Sequence, residues 1–372
     1  MNSKKNAVMT AVFLASILLV LTVADFVAKP FIPAEEMGRR SGGKAVLSLE
    51  SWLDGSFMEA YETEIEEQFV SRDNWRDWKR KINVLLQRKE INGVYLCADS
   101  YLIEGHSPRQ VDPVQVDEKL EMLNKLVETY DAKVMLVPTA DNVLAQKLPL
   151  WAECYDQTEL LAAAEEKIGQ ENLIDVYSVL KDHADEEIFY RTDGHWTMLG
   201  AYYGYRAWKE ATDSVAMKVW RTDEMTTVTQ SFIGSAGHRL EVGVKEEPIR
   251  VFTQTLEMTP KVTYDFKTVS DCFYTDGYLD TQNKYAYFLD GDHGFVQIET
   301  GYAGRGKLVV IKDSFANSMI PFLAAHYSTI YVVDPVFFYR SLDDFVGDLM
   351  TGDSQMLVLY SCVGFMEEFR YE

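Results

Sequence analysis

The chain has 372 residues, 47% of them apolar, and carries 36 Lys plus Arg against 58 Asp plus Glu, a formal charge of −22. This apolar content excludes global disorder, the length allows one large or two ordinary domains, and the acidic excess argues against a nucleic-acid surface. The four cysteines, Cys97, Cys154, Cys272 and Cys362, lie far apart without a CxxC pair, so neither a zinc knuckle nor a disulfide framework is indicated.

Near the N-terminus, Lys4 and Lys5 precede an uncharged apolar run of 18 residues from Ala7 to Ala24. At about 1.5 Å per residue, a helix of that length nearly matches a hydrocarbon core of about 30 Å. A positive flank on the short side predicts a cytoplasmic N-terminus and an exported remainder. Residues 1–28 are therefore expected to form a single-pass signal-anchor transmembrane helix, with a signal peptide cut after Ala24, giving a secreted form, as the alternative. Residues 29–46, with Pro30, Pro33 and the turn-prone SGGK, read as a tether, and the folded body is residues 47–372. That body holds 30 basic and 55 acidic residues, a net −25, which favours a neutral or cationic partner over a polyanion.

Within the body, Phe57, Tyr61, Ile65 and Phe69, then Trp75, Trp78, Ile82, Leu85 and Leu86, are spaced as two amphipathic helices meeting near Ser71. Arg72 and Asp73 at that junction read as an ion pair, unless Arg72 reaches an anionic substrate. Further on, NGVYL and SYLIEG are short extended stretches, and a helix is expected around Lys119–Thr129. KVMLVPT reads as a buried strand, LLAAAEEKI as a helix, NLIDVY as a strand and MLGAYYGYRAWKEA as a helix. Residues 222–304 break this alternation with short polar and aromatic segments, as an inserted β-rich flap would. KLVVIKD, FANSMIPFLAAH, TIYVVD, LDDFVGDLM and QMLVLY then restore strand, helix, strand, helix, strand. The pattern predicts a three-layer α/β fold, and the absence of GxGxxG after any strand argues against dinucleotide binding.

In KLVVIKDSFANSM a β-run stops at Asp313 and a helix can begin after Ser314. A hydroxyl at such a junction projects from the C-terminal edge of a sheet beside first-turn N–H groups that can hold an oxyanion. Ser is equally a preferred helix cap, Asp313 can fill that role itself, and Asn317 can serve the first turn or the site. A Ser nucleophile needs a base, and His195 in YRTDGHWT is the strongest candidate, with Asp193 two residues earlier to orient its ring. The other histidines, His106, His183, His238, His293 and His326, stand singly or beside one acid, without HExxH or convergent spacing, so no metal is assigned. The aromatic series Trp196, Tyr202, Tyr203, Tyr205 and Trp208 fits core packing around a helix better than a sugar groove.

The segments QFVSRDNWRDWK, NGVYL with SYLIEG, VMLVPT, YRTDGHWT with GAYYGY, and VIKDSFANSMIPFL followed by YSTIYVVD resemble the DHHW family of exported bacterial proteins. That family looks related to the SGNH-hydrolase-like domains of the alginate O-acetylation proteins. The resemblance implies an SGNH-hydrolase-like α/β domain with Asp193, His195 and Ser314 as its triad; Asn317 and Arg72 are, by position, the candidates for further oxyanion or substrate contacts, and no cofactor is expected. Gly194 stands where the family name implies His, and Lys312 where a GDS-type block carries Gly. The implied function is an extracytoplasmic O-acyltransferase, most simply an O-acetyltransferase, acting on a cell-surface or secreted polysaccharide, with a carbohydrate esterase or a noncatalytic glycan-binding or assembly subunit as alternatives. Transfer implies an acyl donor and a membrane-bound acyl-transfer partner. The expected location is the bacterial cell membrane, reached through the N-terminal helix.

Overall fold

The computed structural model describes Ser16 and residues 88–371, apart from 213–217, 241–243 and 302–305. The chain divides into two units, Met1–Arg88 and Lys89–Glu372, and the second contains nearly all of the described residues. The membrane-anchored architecture expected from the sequence is corrected, and with it the single-pass location and the membrane as partner. Among the described residues no helix is long and apolar enough to cross a membrane. The run from Ala7 to Ala24 lies, but for Ser16, outside the described residues, as do the two amphipathic segments between Phe57 and Leu86 and the Arg72–Asp73 pair.

The second unit opens with a three-stranded antiparallel meander, β1 (Glu90–Ile91), β2 (Val94–Leu96) and β3 (Leu102–Glu104). Its centre is a seven-stranded sheet. Four strands in it are parallel and adjacent: β4 (Lys133–Val137), β12 (Gln355–Ser361), β10 (Lys307–Lys312) and β11 (Thr329–Val333). These are the four continuous apolar runs, as strands covered on both faces must be. Successive side chains point to opposite faces. Val134, Leu136, Val309, Ile311, Met356 and Val358 pack with helices α1 (Pro113–Tyr130), α2 (Gln157–Ile168), α5 (Leu342–Leu349) and α6 (Cys362–Glu368). Met135, Val137, Leu308, Val310, Leu357 and Leu359 pack with α3 (Val176–Asp182) and α4 (Met198–Thr212). The result is three layers, helix, sheet, helix.

NLIDVY departs from its predicted strand. Only Leu173 bridges to Val134, and from Val176 the chain is α3, because Asp175 accepts a hydrogen bond from the Ser178 N–H and starts a helix. Residues 222–304 split between two tasks. β5 (Met225–Phe232) and β6 (Glu247–Phe252) pair as a separate two-stranded ribbon. β7 (Lys261–Tyr264), β8 (Thr268–Ser270) and β9 (Phe295–Glu299) extend the central sheet, with β9 antiparallel to β11. Trp196, Tyr202, Tyr203, Tyr205 and Trp208 are all core residues.

Candidate active site

The C-terminal ends of β4, β12 and β10 lie side by side, the edge where α/β folds gather their sites. Thr139 and Asp141 follow β4, Asp313 and Ser314 follow β10, and Ser361, Val363 and Gly364 follow β12. Together with Ile103, Glu104 and His106 at the end of β3, and Asp193, Gly194 and His195, they line one cavity.

Ser314 opens a short 3-10 turn, Ser314–Ser318, and the cap of that turn is Asp313, whose Oδ1 accepts the Phe315 N–H at 3.0 Å. The capping role open to Ser314 in the sequence is thus filled by its neighbour, which leaves the Ser314 hydroxyl for other work. Asp313 Oδ2 reaches the next strand, accepting from the Ser361 N–H at 2.7 Å and its hydroxyl at 2.8 Å. Burial pushes the Asp313 carboxyl up, and those bonds offset only part of the rise. Gly364 makes this clamp fit, since a Cβ there would stand 2.3 Å from Asp313 Oδ2.

His195 sits in a loop closed by the Phe189–Trp196 bridge, immediately before α4. Its Nε2 is 2.8 Å from Ser314 Oγ and its Nδ1 is 2.5 Å from Asp193 Oδ1. Asp193 Oδ1 also accepts the His195 N–H, and Oδ2 accepts the Ser235 N–H at 2.9 Å. Burial favours the neutral carboxyl, but the charge and hydrogen bonds of His195, with the Ser235 N–H, bring Asp193 down to about 2. Burial likewise opposes a charged His195, yet the Asp193 carboxylate outweighs it and holds the imidazole above its ordinary range.

The structure therefore brings Asp193, His195 and Ser314 together in one hydrogen-bonded row. Asn317 is not with them. It is buried, its Nδ2 donates to the Gly291 carbonyl at 3.2 Å, and it is not among the residues that line the cavity. Lys312, in place of a glycine, is buried under the sheet edge and pairs with Asp334 at 2.8 Å.

Three supports of this row, and a fourth feature beside it, have no clear signature in the sequence. The Tyr285 ring stacks on His195 with centroids 3.8 Å apart and planes 16° off parallel. Glu247 on β6 accepts from the N–H groups of Arg191 and Thr192 and from the Thr192 hydroxyl, fixing the chain that leads into Asp193. Gly234 lets the backbone approach Asp193, where a Cβ would fall 2.2 Å from the aspartate Cβ. His106 pairs with buried Asp141 at 3.1 Å inside the same cavity. For His106, the only signal in the sequence is its place after the SYLIEG stretch, and Asp141 is 35 residues away.

A protein-family model described as DHHW protein matches residues 121–333, more than half of the chain. The chain belongs to the DHHW family. In the run Asp193-Gly194-His195-Trp196, Gly194 lines the cavity with open space where a Cβ would stand. Among solved structures, a DHHW family protein from Eubacterium siraeum is 24% identical with a TM-score of 0.61, covering 75% of this chain and 94% of its own. Bacillus cereus PatB1 is 20% identical with a TM-score of 0.59, covering 73% of this chain and 98% of its own. The O-acetyltransferase domain of Pseudomonas putida AlgJ is 13% identical with a TM-score of 0.44, covering 75% and 94%. No curated protein matches the chain.

Proposed function

We propose that this DHHW protein is an O-acyltransferase, with acetyl the expected group, that modifies a polysaccharide hydroxyl through Ser314, His195 and Asp193. The observation that carries this reading is the unbroken hydrogen-bonded row from Asp193 through His195 to Ser314, set in a cavity at the sheet edge. As the Ser314 Oγ attacks the acyl carbon of a donor ester, His195 Nε2 takes the hydroxyl proton and passes it to the departing alcohol. Asp193 holds the Nδ1–H tautomer and stabilises the imidazolium, and the Ser314 N–H is the proposed donor to the oxyanion. In the second half an acceptor hydroxyl attacks the acyl-Ser314, gives its proton to His195, and releases the serine.

The lining favours a neutral acceptor. Glu104 lines the cavity, as do the exposed Glu367 and Glu368, so a polyanionic chain would meet like charge there. Hydrolysis of the same acyl-enzyme, an esterase activity, is supported by the 21% exposure of the His195 side chain, which lets water compete with the acceptor.

The test uses 4-nitrophenyl acetate. The wild-type chain is expected to release nitrophenol and to carry an acetyl group on Ser314, seen by mass spectrometry of the trapped intermediate. Ser314→Ala and His195→Ala are each expected to lower turnover by about 10³-fold or more. Full turnover in S314A would overturn Ser314 as the nucleophile, and a wild-type chain with no turnover would leave the noncatalytic glycan-binding reading.

A further inference from the structure

The cavity contains a second histidine–carboxylate pair that the triad does not use. His106 follows β3, and its Nδ1 lies 3.1 Å from Asp141 Oδ2. Asp141 belongs to the helical turn after β4, and its side chain is fully buried. It is fixed by a hydrogen bond from the Thr139 hydroxyl at 2.6 Å and another from Gln157 Nε2 at 3.0 Å. The backbone of His106 is fixed as well, its carbonyl accepting the Tyr155 N–H at 2.7 Å. The His106 side chain is 22% exposed, almost the same as the 21% of His195. Both imidazoles are therefore held at Nδ1 by a buried carboxylate and line one cavity, but among the described residues only His195 has a serine at Nε2.

A ring positioned this firmly, whose far nitrogen has no hydrogen-bond partner among the described residues and which lines the cavity that holds Ser314, is suited to holding a hydroxyl. It cannot hold the attacking hydroxyl as its base, because that proton goes to His195. A sugar brings neighbouring hydroxyls, whereas water and simple alcohols have none to spare. Resting on the acyl-transfer reading above, we propose that His106, oriented by Asp141, binds a second hydroxyl of the sugar acceptor through Nε2 and so directs the acyl group to sugar rather than to water. In the step it serves, the attacking sugar oxygen forms the bond to the acyl carbon and the acyl carbon–Ser314 Oγ bond breaks. The sugar proton passes to His195 and from there to Ser314 Oγ, and His106 neither gains nor loses a proton.

The experiment measures, for one acetyl-enzyme generated from 4-nitrophenyl acetate, the ratio of acetyl transferred to cellotetraose over acetyl transferred to methanol. Three variants separate the roles. His106→Asn keeps a donor near Nδ1 for Asp141 and removes the far nitrogen, His106→Ala removes both, and His106→Gln places an amide near Nε2. The ratio is expected to fall at least tenfold in H106A and H106N and to recover in part in H106Q, with the cellotetraose KM rising in step. A ratio within fivefold of wild type in H106N overturns the proposal, as does an equal loss of both transfers, because a merely structural role slows every acceptor alike. A wild-type chain that forms no acetyl-enzyme overturns the acyl-transfer reading and this proposal with it, so the two failures are distinguishable.

Discussion

At the level of single residues, the site depends on how one carboxylate is held. Asp193 stays ionised far into acid because His195 and the Ser235 N–H face it. His195 in turn is held above the ordinary imidazole value of about 6.5. A general base must be neutral, so the acid limb of kcat/KM is expected above that value, with activity rising as pH rises through it. Asp193→Asn should move the limb down and cut kcat by about 10⁴-fold, as an amide holds the wrong tautomer; a pH–rate profile of both proteins checks this. The same shifts act on stability with opposite signs. His195 contributes below about pH 6.5 and loses the contribution as pH rises through its folded value, whereas Asp193 contributes above about 3.9 and loses it as pH falls toward 2. Gly194 and Gly234 differ in the same way that space differs around them. Gly194→Ala should leave the unfolding free energy within about 0.5 kcal/mol of wild type in urea denaturation, because an added Cβ meets nothing within 4 Å. Gly234→Ala should displace Asp193 and lower turnover in the nitrophenyl acetate assay, because its Cβ would overlap the aspartate.

At the level of elements, the chain on either side of the triad is held by segments whose sequence gave no hint of that role. β6 is short and partly polar, yet its Glu247 takes up three donors from Arg191 and Thr192. Glu247→Ala would leave those buried donors unpaired, at about 1–3 kcal/mol for each group that finds no water. A lower thermal midpoint and a slower turnover are expected together, since the loop that carries His195 loosens with it. The β-run of KLVVIK and the serine after it were legible, because a buried parallel strand is a continuous apolar run and a strand-to-helix junction has a local signature. NLIDVY was not, because an apolar run of that length suits a strand or the first turn of a helix, and Asp175 as a cap decided for the helix.

At the level of the whole molecule, the three layers follow from near-continuous burial along β4, β10, β11 and β12, whose successive side chains alternate between two faces, each covered by helices. Leu357 lies fully buried in the central sheet, and Leu357→Ala is expected to cost about 2–5 kcal/mol, read as a shift in the urea unfolding midpoint. Along the chain alone, only local features are legible: the four apolar strands, the aspartate two residues before a histidine, the serine at the end of a strand, and the acidic balance. Which of these features meet is settled by folding. His195 and Ser314 are 119 residues apart, and His106 and Asp141 are 35 apart. Strand order brings the ends of β4, β12 and β10 to one edge, and the loops that follow converge there. Periodicity in a single chain records which face of an element is buried, but not which distant element covers it. For that reason Asp193, His195 and Ser314 can be singled out one by one from spacing and resemblance, while their hydrogen-bonded row, Tyr285 over the imidazole, Glu247 behind the loop and His106 in the cavity appear only in the folded molecule.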